Sequence, residues 1–158
     1  MIRAHSYLRT RPGVDPSRIG LTGISWGGYL SCLAAGADSR FRFAAPVYGC
    51  GFFGDCPRFK AELDALGERG RKWLAQWDAS VFLPQTTCPF LWVSGKDDYY
   101  FTYVSLRKSA ELVRAGSRLA VRGHRDHGHD VGSRQEEIFA FADAQFGIRR
   151  QSGSQTGR

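Results

Sequence analysis

The sequence predicts an α/β fold: a mostly parallel sheet of about four strands with flanking helices. Three observations carry that reading. Short apolar runs alternate with helical stretches of ten or more residues, the pattern of βαβ units. Residues 89–94 are almost continuously apolar (Phe90, Leu91, Trp92, Val93), as a strand buried on both faces requires. Finally, Gly23-Ile24-Ser25-Trp26-Gly27 lies between an apolar run and a helical stretch, the strand–turn–helix setting of a nucleophile elbow.

Taken in chain order, residues 2–10 read as the end of a helix, which Pro12, Gly13, Asp15 and Pro16 break. Residues 19–23 form the strand that feeds the elbow. Residues 26–37, rich in Leu, Ala and Gly, form a helix able to lie close under a sheet. A second strand covers 43–48 and ends at Gly49 and Gly51. Residues 50–88 are irregular and lid-like: a loop with Phe52 and Phe53, helical pieces at 59–66 and 71–77, and a connector at 78–84. The third strand is 89–94. A helix over 103–115 ends at Gly116, a last strand covers 119–122, and a final helix covers 135–146. Residues 1–147 thus form one domain, and the polar, Gly/Ser-rich stretch 148–158 is expected to be a disordered tail.

Composition narrows the function. At 158 residues with 42% hydrophobic content, the chain can bury one core and is not of the disordered class. No apolar run approaches membrane-span length, and the first 20 residues lack a signal-peptide core. The net charge is +7, but the arginines are scattered without a basic–aromatic array, so neither nucleic acid nor membrane is expected as a partner. The cysteines, Cys32, Cys50, Cys56 and Cys88, form no C-x-x-C pair. Cys32 and Cys88 suit small buried positions; Cys50 and Cys56 flank a loop and are either free or paired. No metal or nucleotide motif occurs, so no cofactor is implied.

The chemistry centres on Ser25. A serine at the tip of a tight strand-to-helix turn needs small neighbours, here Gly23 and Gly27. The helix N-terminus behind it favours developing negative charge. A serine hydroxyl also needs a base, and the base an acid to orient it. With an elbow the chain order is serine, acid, histidine. The third strand ends in Ser94-Gly95-Lys96-Asp97-Asp98, which offers Asp97 or Asp98. The last strand leads into His124-Arg125-Asp126-His127-Gly128-His129-Asp130. His124 follows the strand too soon, whereas His127 and His129 flank Gly128, which permits a tight loop. A zinc site from His124, His127, His129 and Asp130 fits less well than a base that Ser25 already demands.

These segments resemble the α/β-hydrolase superfamily, especially its prolyl oligopeptidase, dienelactone hydrolase and acetylxylan esterase branches. The resemblance rests on Val14-Asp15-Pro16-Ser17-Arg18-Ile19-Gly20 leading to Gly23-Ile24-Ser25-Trp26-Gly27-Gly28-Tyr29. It continues in 89–98 and in His127-Gly128-His129. It implies a serine hydrolase acting on an ester or peptide substrate through an acyl-enzyme. The family spacing G-x-x-D selects Asp98 as the acid. Both His127 and His129 fit as base; His129 is the favoured one and His127 the alternative. The Trp26 N–H is the implied oxyanion donor. Only 24 residues precede Ser25, where the family places several strands and a second oxyanion donor. The expectation is therefore a truncated α/β-hydrolase fold lacking its first strands, with an N-terminal segment or a second chain completing the sheet. A catalytically incompetent or partner-dependent fragment is the alternative reading. Phe52, Phe53, Trp73 and Trp77 either line a pocket as a lid or simply pack.

Overall fold

The computed structural model describes residues 1–123, 126–128 and 136–148. Four strands, β1 (Leu21–Ile24), β2 (Ala44–Val47), β3 (Phe90–Gly95) and β4 (Ser117–Arg122), form one sheet in the order β1-β2-β3-β4. Every neighbouring pair is parallel, with Leu21 opposite Ala44, Val47 opposite Val93, and Phe90 opposite Ser117. β2 and β3 are buried along their whole length, which explains their unbroken apolar character. β4, at one margin, leaves Leu119 and Arg118 exposed.

The pleat sends alternate side chains into two cores. On one face, Ala44, Phe90 and Trp92 meet Cys32 and Ala35 of helix α2 (Trp26–Ala37) and Leu106 of a helix spanning Tyr103–Leu112. On the other, Ala45, Val47, Leu91 and Val93 meet Phe141 of the final helix, Glu136–Phe146. Phe141 meets Phe43 edge-on, at 5.7 Å between ring centroids. Each such fully buried side chain contributes about 1.5–3 kcal/mol. The first helix, α1 (Ile2–Leu8), docks through buried His5, whose ring meets Phe41 at 4.7 Å.

The lid-like segment is more helical than the sequence suggests. It holds α3 (Pro57–Ala65), α4 (Glu68–Trp77) and a single turn, α5 (Ala79–Phe82). α5 exists because Asp78 caps it: the carboxylate accepts the Ser80 N–H at 2.8 Å. The helices after it are α6 (Tyr103–Leu112) and α7 (Glu136–Phe146). α6 stops before residue 115 because Val113 turns extended and Gly116, at φ 106°, makes the turn into β4.

All four cysteines are free and buried. Burial pushes their thiols up, that of Cys88 to about 11, so none is a ready nucleophile. Among the described residues, no helix is long and apolar enough to cross a membrane.

Candidate active site

Ser25 sits between the end of β1 and the start of α2, with φ 58° and ψ −118°. A side chain there is strained, and strain of this kind persists only where the surroundings over-determine it. Two contacts do so: the Ser25 N–H donates to the Val47 carbonyl at 2.8 Å, and the Ser25 carbonyl accepts the Tyr29 N–H at 3.0 Å. The turn also needs bare backbone, though not quite where the motif implies. A Cβ on Gly23 would stand 2.5 Å from the Gly27 carbonyl, and one on Gly28 would stand 2.7 Å from the Val47 oxygen. A Cβ on Gly27 would meet nothing within 4 Å. Room is required at Gly23 and Gly28; Gly27 is the backbone that Gly23 must approach.

Beyond the carboxyl ends of the strands, three side chains form one hydrogen-bonded line. His127 Nε2 lies 2.8 Å from Ser25 Oγ, and His127 Nδ1 lies 3.0 Å from Asp98 Oδ2. Asp98 is buried, whereas Asp97 is exposed. Its Oδ1 accepts the backbone N–H groups of Tyr100 and Phe101 at 2.9 and 3.0 Å. An ionised carboxylate only accepts, so Nδ1 carries the proton towards Asp98 and Nε2 is left to accept from the Ser25 hydroxyl. That tautomer suits a base. The imidazole in line is thus His127, which the sequence reading ranked second. The favoured His129, with His124 and Asp130, lies outside the described residues.

Aromatic rings that the sequence reading did not single out hold His127. Tyr48 and Tyr100 approach it at 5.1 and 4.9 Å, and Phe101 stacks on it at 5.7 Å and 23°. The run Tyr99-Tyr100-Phe101 directly after Asp98 was the available signal. Together Ser25, Trp26, Phe59, Tyr100, Phe101 and His127 line a cleft of about 270 Å³. The Trp26 N–H is the first of α2, a position without an intrahelical acceptor. Beneath Trp26, the Tyr29 hydroxyl donates to the Trp77 carbonyl at 2.6 Å. Burial pushes Tyr29 up to about 12, so it remains a neutral donor.

The four proposed aromatic liners separate. Phe53 is buried among Trp26, Tyr29, Phe59 and Trp73. Trp73 stacks on Tyr29, Trp77 is half exposed, and Phe52 carries the Lys108 ammonium over its ring at 4.3 Å.

A parallel sheet covered on both faces, whose first strand turns through a strained serine into a helix, is the framework of an α/β-hydrolase. The chain belongs to the prolyl oligopeptidase family, whose model matches residues 1–149. Among solved structures, it is similar to an acylaminoacyl peptidase from Pyrococcus horikoshii (TM-score 0.69, 18% identity, 94% of this chain and 27% of that one). It is also similar to a puromycin-hydrolyzing peptidase of Mycobacterium tuberculosis (0.76, 20%, 94% and 25%). An acetyl xylan esterase from Paenibacillus sp. R4 matches as well (0.76, 22%, 90% and 50%). The chain therefore spans between a quarter and half of the length of these structures. Comparison with curated proteins gives no match.

Proposed function

We propose that this chain supplies the catalytic residues of a serine hydrolase that cleaves an ester or peptide bond through an acyl-enzyme. The observation that carries the reading is the line Ser25–His127–Asp98, at 2.8 and 3.0 Å, with Ser25 at the head of α2. In this mechanism His127 Nε2 takes the Ser25 proton as Oγ bonds to the substrate carbonyl carbon. The Trp26 N–H receives the resulting oxyanion. Nε2 then returns the proton to the leaving alcohol or amine as its bond to the carbonyl carbon breaks. Water repeats the sequence and releases the acid. Asp98 holds the imidazole in the required tautomer throughout. Membership in the prolyl oligopeptidase family supports the same chemistry.

A fluorophosphonate probe tests this directly. It is expected to label the full chain at Ser25, and Ser25→Ala is expected to lose the label. A well-folded chain that is not labelled overturns the reading.

A second reading is favoured by one observation: β1, which delivers Ser25, stands at a margin of the sheet among the described residues. In that reading turnover requires a further strand beside β1, from another segment or another chain. Turnover of p-nitrophenyl acetate by the isolated chain argues against it. Labelling without turnover favours it.

A further inference from the structure

Next to the Ser25 cleft runs a second, larger cavity: an apolar groove of about 710 Å³ between α2, α3 and α4. Its walls include Leu30, Leu33, Leu63, Leu66 and Trp73. Two residues line both cavities, Trp26 and Phe59. Their rings meet edge-on, with centroids 5.7 Å apart and planes at 63°. Phe53 lies behind both, 5.8 Å from Trp26 and 4.5 Å from Phe59. The two rings therefore form a wall: on one side the small cleft with the serine and imidazole, on the other a groove with room for a long alkyl or aromatic chain.

We propose that Trp26 and Phe59 are the specificity-determining pair of this site, restricting it to short acyl groups by closing the Ser25 cleft off from the apolar groove. The inference rests on Ser25 being the nucleophile. An acyl chain that extends from Ser25 towards the groove has to displace one of these rings. Phe59 is buried and backed by Phe53 and Phe101, 5.2 Å away, so that displacement breaks packing. An acetyl or propionyl group needs no such movement. Removing either ring joins the two cavities, and the groove then shelters methylenes that water would otherwise surround.

The test is a chain-length series of p-nitrophenyl esters, from acetate to octanoate, on the full chain. In each case the acyl group passes from p-nitrophenol to Ser25 and then to water. The native chain is expected to favour acetate. Phe59→Ala is expected to raise the octanoate-to-acetate ratio of kcat/KM by at least about tenfold. Trp26→Ala, which removes a half-exposed indole, is expected to act in the same direction and serves if Phe59→Ala does not fold. Adding Leu30→Glu, which puts a charge into the groove from an exposed position, is expected to cancel the gain. A native chain that already hydrolyses octanoate as well as acetate overturns the proposal, as does an unchanged ratio in folded ring variants. Both of those results leave Ser25 labelling intact. Loss of labelling in the folded native chain instead removes the hydrolase reading, and this proposal with it.

Discussion

Asp98 presents one carboxylate oxygen to His127 Nδ1 at 3.0 Å and the other to the Tyr100 and Phe101 N–H groups. One side chain thereby fixes both the imidazole and the loop whose aromatic rings flank it. The two functions separate by substitution. In Asp98→Asn the amide oxygen can still accept both backbone N–H groups. Its NH₂ then faces Nδ1 and forces the other imidazole tautomer, in which Nε2 carries the proton and cannot accept from Ser25. The expected outcome is a fall of about 10³–10⁴ in kcat with little change in the urea midpoint. Steady-state kinetics beside an unfolding curve checks it.

The choice between the two histidines around Gly128 is equally open to test. Because His127 is the ring in contact with Ser25 and Asp98, His127→Ala should reduce turnover as severely as Ser25→Ala. The double variant should be no worse than either single one, since the residues act as a unit. His129→Ala should keep turnover within about tenfold of native, the scale of a change outside the reacting line. The reverse ranking would return the role to His129.

These contrasts show what the sequence could convey. The alternation of apolar runs and helices located the four described strands to within a residue or two, most firmly β2 and β3, because a strand buried on both faces has few alternatives to an apolar run. Ser25 stood out by its strand–turn–helix setting, whereas the end of the third strand offered Asp97 or Asp98 and only the family resemblance chose Asp98. His127 was not separable from His129, since the two flank Gly128 in the sequence and either fits the spacing. The contacts that seat His127, with Tyr48 and Phe101 from distant segments, leave no mark in that spacing. Asp78, read as part of a connector, was missed because two of its three partners, the Phe52 and Phe53 N–H groups, lie about 25 residues away and leave no side-chain pattern.

Gly23 and Gly27 look equivalent in the motif and are not. Gly23→Ala places a methyl 2.5 Å from the Gly27 backbone, and neither the end of β1 nor the start of α2 can shift without moving Ser25. It should destabilise the chain by more than about 3 kcal/mol, in the range of severe overpacking, and reduce soluble yield. Gly27→Ala meets nothing within 4 Å and lies inside α2, where alanine is favoured over glycine by up to about 1 kcal/mol. Its urea midpoint should be unchanged or higher.

Asp78 is buried and accepts three backbone N–H groups: Phe52 and Ser80 on Oδ1, Phe53 on Oδ2, each at 2.8 Å. It pins the turn at Phe52, which has φ 60°, and so sets where Phe53 packs behind Trp26 and Phe59. Asp78→Ala removes the acceptor of all three, that of the buried Phe53 N–H included. The expected cost is about 3 kcal/mol, read from chemical denaturation. Asp78→Asn should recover part of it, because one carbonyl oxygen remains to accept.

A pH-dependent contribution to stability lies at the other end of α2. Asp38 is buried and closes that helix, and it takes Arg40 in a two-pronged contact, Nε to Oδ1 at 2.8 Å and an η nitrogen to Oδ2 at 2.5 Å. Arg40 also reaches Ser6 Oγ at 3.1 Å, tying α1 to this corner. Hydrogen bonds from the guanidinium outweigh burial and hold the Asp38 carboxyl at about 2, below its ordinary 3.8. A carboxyl whose folded value lies below its unfolded one stabilises the fold at pH above the unfolded value. That contribution is lost as pH falls through the folded value. Asp38→Asn should therefore lower stability by about 1 kcal/mol at pH 7, a figure kept modest because Arg40 is partly open to solvent. The gap between native and variant should hold down to about pH 5 and close between pH 4 and 2. Urea titrations at pH 7, 5 and 3 measure it, and a gap that widens towards acid would show that the Arg40 contact is not its source.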